Sequence, residues 1–240
     1  KYGIDTSDEA IRAAVEQHNE VCRLIRAIGD FRKEANPRVT GYEFHILTLV
    51  SYVAPKHLIV DKLRETLEEI KTREPDAADK YRARVVFVGS EVDDVDVIRL
   101  VEESGAYVCA DRFCYGSLPG RDEILLNDDE DVVKQVCRQV QGRAQCPRYW
   151  DMAKMTGRRD YVADIAKEYG ADGIIYEQMK FCDPWAYERM IGTIVLRDEH
   201  GYPVLAVDRP YSIGSSGQMR TRVQAFVESI EIKKIQGGKK

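Results

Sequence analysis

RVVFVGS, residues 84–90, is a short β-branched run closed by glycine, and it reads as a buried strand. The pattern downstream repeats that theme. Residues 93–103 bring Val97, Leu100 and Val101 to one helical face, and residues 106–109 form a second short apolar run. Helical stretches follow at about 131–141 and 159–169. A third strand covers 172–176, a helix 185–197, a fourth strand 203–207 and a last helix 217–233. Strands alternating with helices make βαβ units, and these build a parallel sheet with right-handed crossovers. The expected fold is therefore α/β: a flavodoxin-like, doubly wound parallel sheet of about four strands in the order 2-1-3-4. In that order the ligand crevice opens between strands 1 and 3, beyond their carboxyl ends. The loops that meet there are residues 89–94 and residues 177–184.

Upstream of residue 84 the chain reads as helical. Ser7 is placed as an N-cap, and Ile11, Val15, Cys22, Ile25 and Ile28 recur at roughly helical spacing until Gly29 and Asn36-Pro37 end the pattern. Further helices are expected at 41–52 and 55–72, the latter carrying Leu58, Leu63, Leu67 and Ile70. The division is a helical lead-in over 1–82 and an α/β lobe over 83–240.

The bulk numbers exclude several classes. A formal charge of −5, with no clustered basic stretch, argues against nucleic acid as the partner. No apolar stretch approaches the roughly 20 residues of a membrane helix, and no apolar signal core is present. Six irregularly spaced cysteines without a C-x-x-C pair are too few for a disulfide scaffold and argue against a zinc ribbon. They suit a cytoplasmic protein with reduced thiols. The chain starts at Lys1 rather than Met, which suggests part of something longer.

Among the thiols, Cys182 in YEQMKFCDPWAYE (residues 176–188) stands apart. Asp183 suits an N-cap and Pro184 the first helical position, so Cys182 precedes a helix start by one residue. The positive end of the helix dipole is expected to lower its pKa, and thiolate is the form that ligates metals or attacks electrophiles. A packing role remains the alternative. None of the four histidines lies in a matching loop to serve as a base, and His200 reads as a surface turn residue. Cys114 lies in a loop that can reach the crevice, Cys146 precedes Pro147, and Cys137 on a helix is expected in the core. Ser215 and Ser216 before the last helix offer an anion cradle or a plain turn. Arg220 and Arg222 pair either with phosphate or with carboxylates such as Glu228. Phe181, Trp185 and Tyr187 either line an aromatic pocket or pack helix on sheet. The acidic run 128–131 reads as a solvated loop and helix start.

Several segments together resemble one family. They are RVVFVGS (84–90), ESGAYV (103–108), ADRFCYGS (110–117), ADGII (171–175), KFCDP (180–184) and QMRTRVQAF (218–226). The chain is similar to the cluster-bearing subunits of the 2-hydroxyacyl-CoA dehydratase and benzoyl-CoA reductase family. The likeness runs through nearly its whole length, and KFCDP and RTR are the more specific parts. The resemblance implies a 4Fe–4S cluster held by three cysteines, of which Cys182 is one; the other two are expected upstream, outside this segment. It implies a paralogous cluster-bearing partner subunit, an ATP-hydrolysing iron–sulfur activator that feeds single electrons, and radical chemistry on an acyl-CoA. Residues 179–188 and 200–211 look closer to the benzoyl-CoA reductase branch, with Phe181, Trp185, Ser215, Ser216 and Arg220 as candidate substrate contacts. A 2-hydroxyacyl-CoA dehydratase subunit is the alternative. A non-catalytic flavodoxin-like binding module with structural thiols is the alternative of another class.

Overall fold

The computed structural model describes residues 3–75, 80–118, 121–211 and 216–237, without the side chain of Ser216. Four strands, β1 (Ala83–Val88), β2 (Ala106–Arg112), β3 (Gly173–Met179) and β4 (Val204–Arg209), form one sheet in the order β2-β1-β3-β4. Every neighbouring pair is parallel. The expected sheet and its order are both present.

Among the described residues, eight α-helices accompany it: α1 (Asp8–Asp30), α2 (Gly41–Val53), α3 (Lys56–Thr72), α4 (Val95–Glu103), α5 (Val132–Arg143), α6 (Met152–Glu168), α7 (Asp183–Asp198) and α8 (Ser216–Gly237). Alternate strand residues point to opposite faces, and each face carries its own apolar layer. On one, Val85, Phe87, Ile175 and Val207 meet Val97 and Val101 of α4 and Val223 and Val227 of α8. On the other, Val86, Val88, Ile174 and Tyr176 meet Val162 and Ala166 of α6 and Trp185 and Leu196 of α7. That is the double winding in physical form.

Helices α1 to α3 bury a separate core built on Val21, Ile25, Phe44, Leu63 and Ile70. Ser7 caps α1 as expected, its Oγ accepting from Ala10 N at 3.3 Å. Thr40 and Glu43 form a reciprocal capping box at α2. The next two orphan donors of α2, Gly41 N and Tyr42 N, are taken by the Glu102 carboxylate of α4 at 2.8 and 3.1 Å. That junction needs glycine at position 41, because a Cβ there would sit 2.7 Å from Val108 O.

Several boundaries differ from the sequence reading. β2 runs on through Asp111 and Arg112, and β3 through Glu177. Their polar side chains are satisfied inside the fold: Asp111 pairs with buried Arg32 at 3.0 Å. α6 starts at Met152, seven residues before the expected 159, with Asp151 Oδ1 accepting from Lys154 N at 2.7 Å as its cap. Leu58 is 65% exposed, and Ile59 takes the inward position on α3. Cys137, expected in the core, is exposed, because α5 turns Val132 and Gln135 inward instead.

Candidate functional site

The crevice at the carboxyl ends of β1 and β3 is organised by a buried acid. Glu177 is 0% exposed. Its Oε2 accepts from Ser90 N at 3.0 Å and from Ser90 Oγ at 2.9 Å, and Ser90 Oγ in turn accepts from Met179 N at 2.6 Å. Glu177 Oε1 lies 2.9 Å from Arg209 Nε at the end of β4, but the N–H is not aligned on it, so this is a contact ion pair rather than a hydrogen bond. The Arg209 guanidinium also reaches the carbonyls of Glu91, Pro210 and Tyr211. One buried cluster therefore ties together the ends of β1, β3 and β4. Burial pushes the Glu177 carboxyl up to about 7, against the opposing pull of Arg209 and Ser90. Gly89 is required beside it: a Cβ there would meet the Glu177 backbone oxygen at 2.5 Å. The two loops expected to meet do meet, through Ser90. The sequence reading missed Glu177 and Arg209 as the agents, although a carboxylate following GIIY in a buried strand was a usable signal.

Cys182 leaves this cluster after a tight turn, its N–H donating to Met179 O at 3.1 Å. Phe181, before it, has φ of 71° and is 97% exposed. A bulky residue in the left-handed region is strained, and the turn holds it there with its ring in solvent. Cys182 is itself the N-cap of α7, and Asp183 is the first helical residue, so the helix starts one residue earlier than expected. The thiol pKa lies above its ordinary value, the reverse of the expectation. Burial dominates, opposed by the Trp185 backbone N–H. Cys114 packs against the same apolar layer, its thiol pushed up to about 12 by burial. Its N–H donates to Ser90 O at 2.9 Å, which fastens that loop to the crevice. Cys146 lies near enough to act electrostatically on both Cys114 and Cys182. Even so, among the described residues no three His, Cys, Asp or Glu side chains converge on a metal-sized site.

The other candidates are more dispersed. Trp185 is 2% exposed and packs on Tyr176, ring centroids 6.2 Å apart. Arg220 pairs with Glu103 of α4 at 2.8 Å rather than with Glu228. Arg222 donates to Ala206 O at 2.6 Å. Ser215 and the Ser216 side chain lie outside the described residues. His200 is exposed, 3.7 Å from Asp160. Among the described residues, no helix is long and apolar enough to cross a membrane.

The profile of the 2-hydroxyglutaryl-CoA dehydratase D-component family matches residues 1–230. The chain belongs to this family. Relatives of this dehydratase-family chain include the (R)-phenyllactyl-CoA dehydratase beta subunit of Clostridium sporogenes, 26% identical over 95% of this chain and 59% of that protein. The beta subunit of (R)-2-hydroxyglutaryl-CoA dehydratase from Acidaminococcus fermentans is 24% identical over 95% and 59%. One of the benzoyl-CoA reductase subunits of Thauera aromatica is 23% identical over 96% and 59%. The chain thus spans about three fifths of the length of the curated relatives it matches. These identities do not establish the lean toward the reductase branch that residues 179–188 and 200–211 suggested.

Proposed function

We propose that this chain is part of the cluster-bearing subunit of an enzyme acting on a CoA thioester, with Cys182 as one thiolate ligand of a 4Fe–4S cluster. The observation that carries the reading is the placement of Cys182. It caps a helix at the mouth of the β1/β3 crevice, on a turn anchored by the buried Ser90–Glu177–Arg209 cluster. Among the described residues no three-ligand set forms around this half-buried thiol, which fits one contribution to a set completed from outside this segment. When bound, such a cluster supplies single electrons at low potential.

The chain's own residues position and shield. The Glu177 cluster fixes the turn, and the Trp185 N–H stands ready for a thiolate. The apolar layer behind Cys182 keeps water from one side of the sulfur. Phe181 projects its ring where an arriving acyl group meets the crevice. Arg220 of α8 is assigned to the same ligand, with Ser215 and Ser216, which precede it in the sequence. A paralogous subunit and an ATP-hydrolysing activator are the implied partners.

Dehydration of a 2-hydroxyacyl-CoA is the first reading of the chemistry, supported by the identities of 26% and 24% with dehydratase beta subunits. Reduction of an aromatic acyl-CoA is the second, supported by the reductase subunit at 23% and by the exposed Phe181 ring. The test is iron and acid-labile sulfide in the full-length protein prepared anaerobically with its partner, wild type beside Cys182→Ala. Roughly four irons per chain, lost or sharply reduced in the variant, is the expected result. Equal metal in both proteins would remove Cys182 from the site. Turnover of a 2-hydroxyacyl-CoA against benzoyl-CoA then separates the two chemistries.

A further inference from the structure

Between α1, the end of β2, α5 and α6 lies a cavity of about 410 Å³, large enough for a small ligand. Its wall carries six cationic side chains against three carboxylates. Some of those cations are neutralised within the fold. Arg32 has Asp111 at 3.0 Å, Lys33 has Asp30 and Glu168, and Arg26 has Glu123 at 2.9 Å. Three are not.

Arg112, Arg121 and Arg143 make no ion pair with any described carboxylate, and every hydrogen bond they donate goes to a neutral acceptor. Arg112 uses Ser117 O and Gln145 Oε1. Arg121 uses Ser51 Oγ and Gly116 O. Arg143 uses Asp122 O and Gln139 Oε1. Of the wall acids, Asp122 has its carboxylate 3.8 Å from Arg26. Arg112 is only 4% exposed. A buried guanidinium without a direct ion-pair partner is costly to the fold, and burial lowers its pKa against the longer-range pull of Tyr161, Asp111 and Asp122. Two of the three are held in place by aromatic faces: Arg112 lies 4.4 Å from the Tyr161 ring centre and Arg121 4.5 Å from that of Tyr52. A second cavity of about 160 Å³ shares Arg121 and Arg143 and adds Lys56.

We infer that this cavity binds a phosphate-bearing ligand through Arg112, Arg121 and Arg143. Three planar guanidinium forks converging on one polar space suit the several oxygens and multiple charge of a phosphate or diphosphate. Ser117 adds a hydroxyl on the same wall. The ligand neutralises a charge that the fold leaves open. The inference concerns a different space from the Cys182 crevice and stands whether or not a cluster binds there. The phosphates come either from coenzyme A or from a free inorganic or nucleotide phosphate.

The experiment is calorimetric titration of the full-length protein with inorganic pyrophosphate and, separately, with coenzyme A. Wild type is compared with Arg121→Gln, Arg143→Gln and the double variant. Both side chains are partly exposed, so these variants fold, which thermal melting verifies; Arg112→Gln is added as a third. Each single change is expected to weaken binding roughly tenfold or more, from the strength of charge-assisted hydrogen bonds. Arg197→Gln, paired with Asp198 on α7 at 2.7 Å, leaves binding unchanged. Loss of both ligands in the variants assigns coenzyme A to the cavity, and loss of pyrophosphate alone assigns a free phosphate. Wild-type affinity retained in the double variant, or no heat with either ligand at millimolar concentration, overturns the inference.

Discussion

Replacing Ser90 by alanine removes one oxygen atom and disconnects two strands. Ser90 Oγ donates to Glu177 Oε2 at 2.9 Å and accepts from Met179 N at 2.6 Å, with Ser90 itself 0% exposed. The first is a hydrogen bond to a charged group. The second satisfies a backbone N–H at the end of β3, beyond the last rung that β3 shares with β1 at Tyr176. The alanine methyl offers neither donor nor acceptor in this fully buried position, so both losses are felt. Together they cost roughly 2–4 kcal/mol: a charged hydrogen bond contributes about 1.5–3, and an orphaned buried donor costs about 1–3, with partial relaxation between them. For a chain of this size that lowers the melting temperature by roughly 5–15 °C. Urea unfolding of the full-length wild type and Ser90→Ala measures it. Because Met179 sits three residues before Cys182, the variant also exposes that thiol. Its alkylation rate, read residue by residue by mass spectrometry, rises while that of Cys109 does not. A loss under about 1 kcal/mol with unchanged Cys182 alkylation would refute the view that Ser90 fixes the cysteine-bearing turn.

Two further outcomes come from buried charge. Glu188 of α7 is 4% exposed and accepts from Arg158 at 2.9 Å and Arg159 at 3.0 Å. Glu188→Ala leaves two guanidiniums stranded and is expected to cost roughly 3–5 kcal/mol in chemical unfolding. A Glu188→Ala protein as stable as wild type would show that water reaches the pair. The Glu177 carboxyl gives a pH signature. Burial raises it from 4.5 to about 7, so between those values the folded state holds a proton that the unfolded state has released. Its contribution to stability is present below 4.5, declines as pH rises toward about 7 and is then lost. Glu177→Gln mimics the neutral acid, so its stability relative to wild type should improve across that window in melting curves. A gap that stays constant with pH, or that widens against the variant, would mean that Arg209 keeps the carboxylate ionised throughout.

The sheet was legible because its strands announce themselves twice. RVVFVG and ADGIIY are apolar runs closed or opened by glycine, and each is followed by a helical period, which leaves few topologies other than 2-1-3-4. The ends of the strands were not legible. Asp111, Arg112 and Glu177 look like loop residues, and only the fold supplies Arg32, Gln145 and Ser90 to satisfy them. The same blindness hid the early start of α6, where buried Arg158 depends on Glu188, 30 residues away. Periodicity finds the faces that exclude water. It cannot find a charged residue whose burial depends on a partner that comes into view only after folding.

The site follows the same division. Cys182 was singled out by local signals: a thiol before Asp-Pro at a helix start, after a strand. Its environment could not be read from them, and one inference reversed. The helix N-terminus was expected to favour thiolate, yet the half-buried thiol sits above its ordinary pKa, because desolvation outweighs the donor at Trp185. That reversal bears on function. A thiol held neutral at physiological pH is a poor free nucleophile, which argues against covalent catalysis by an isolated cysteine. A cation placed beside the same sulfur changes the balance, since coordination removes the proton and the desolvated pocket then strengthens the attraction. On the proposed reading, the Trp185 N–H that already opposes the raised pKa of the thiol would support a metal-bound sulfur. On the same reading, burial that raises the Cys182 pKa suits a metal ligand better than a free nucleophile, and the Ser90–Glu177–Arg209 anchor behind the turn would hold such a ligand in place.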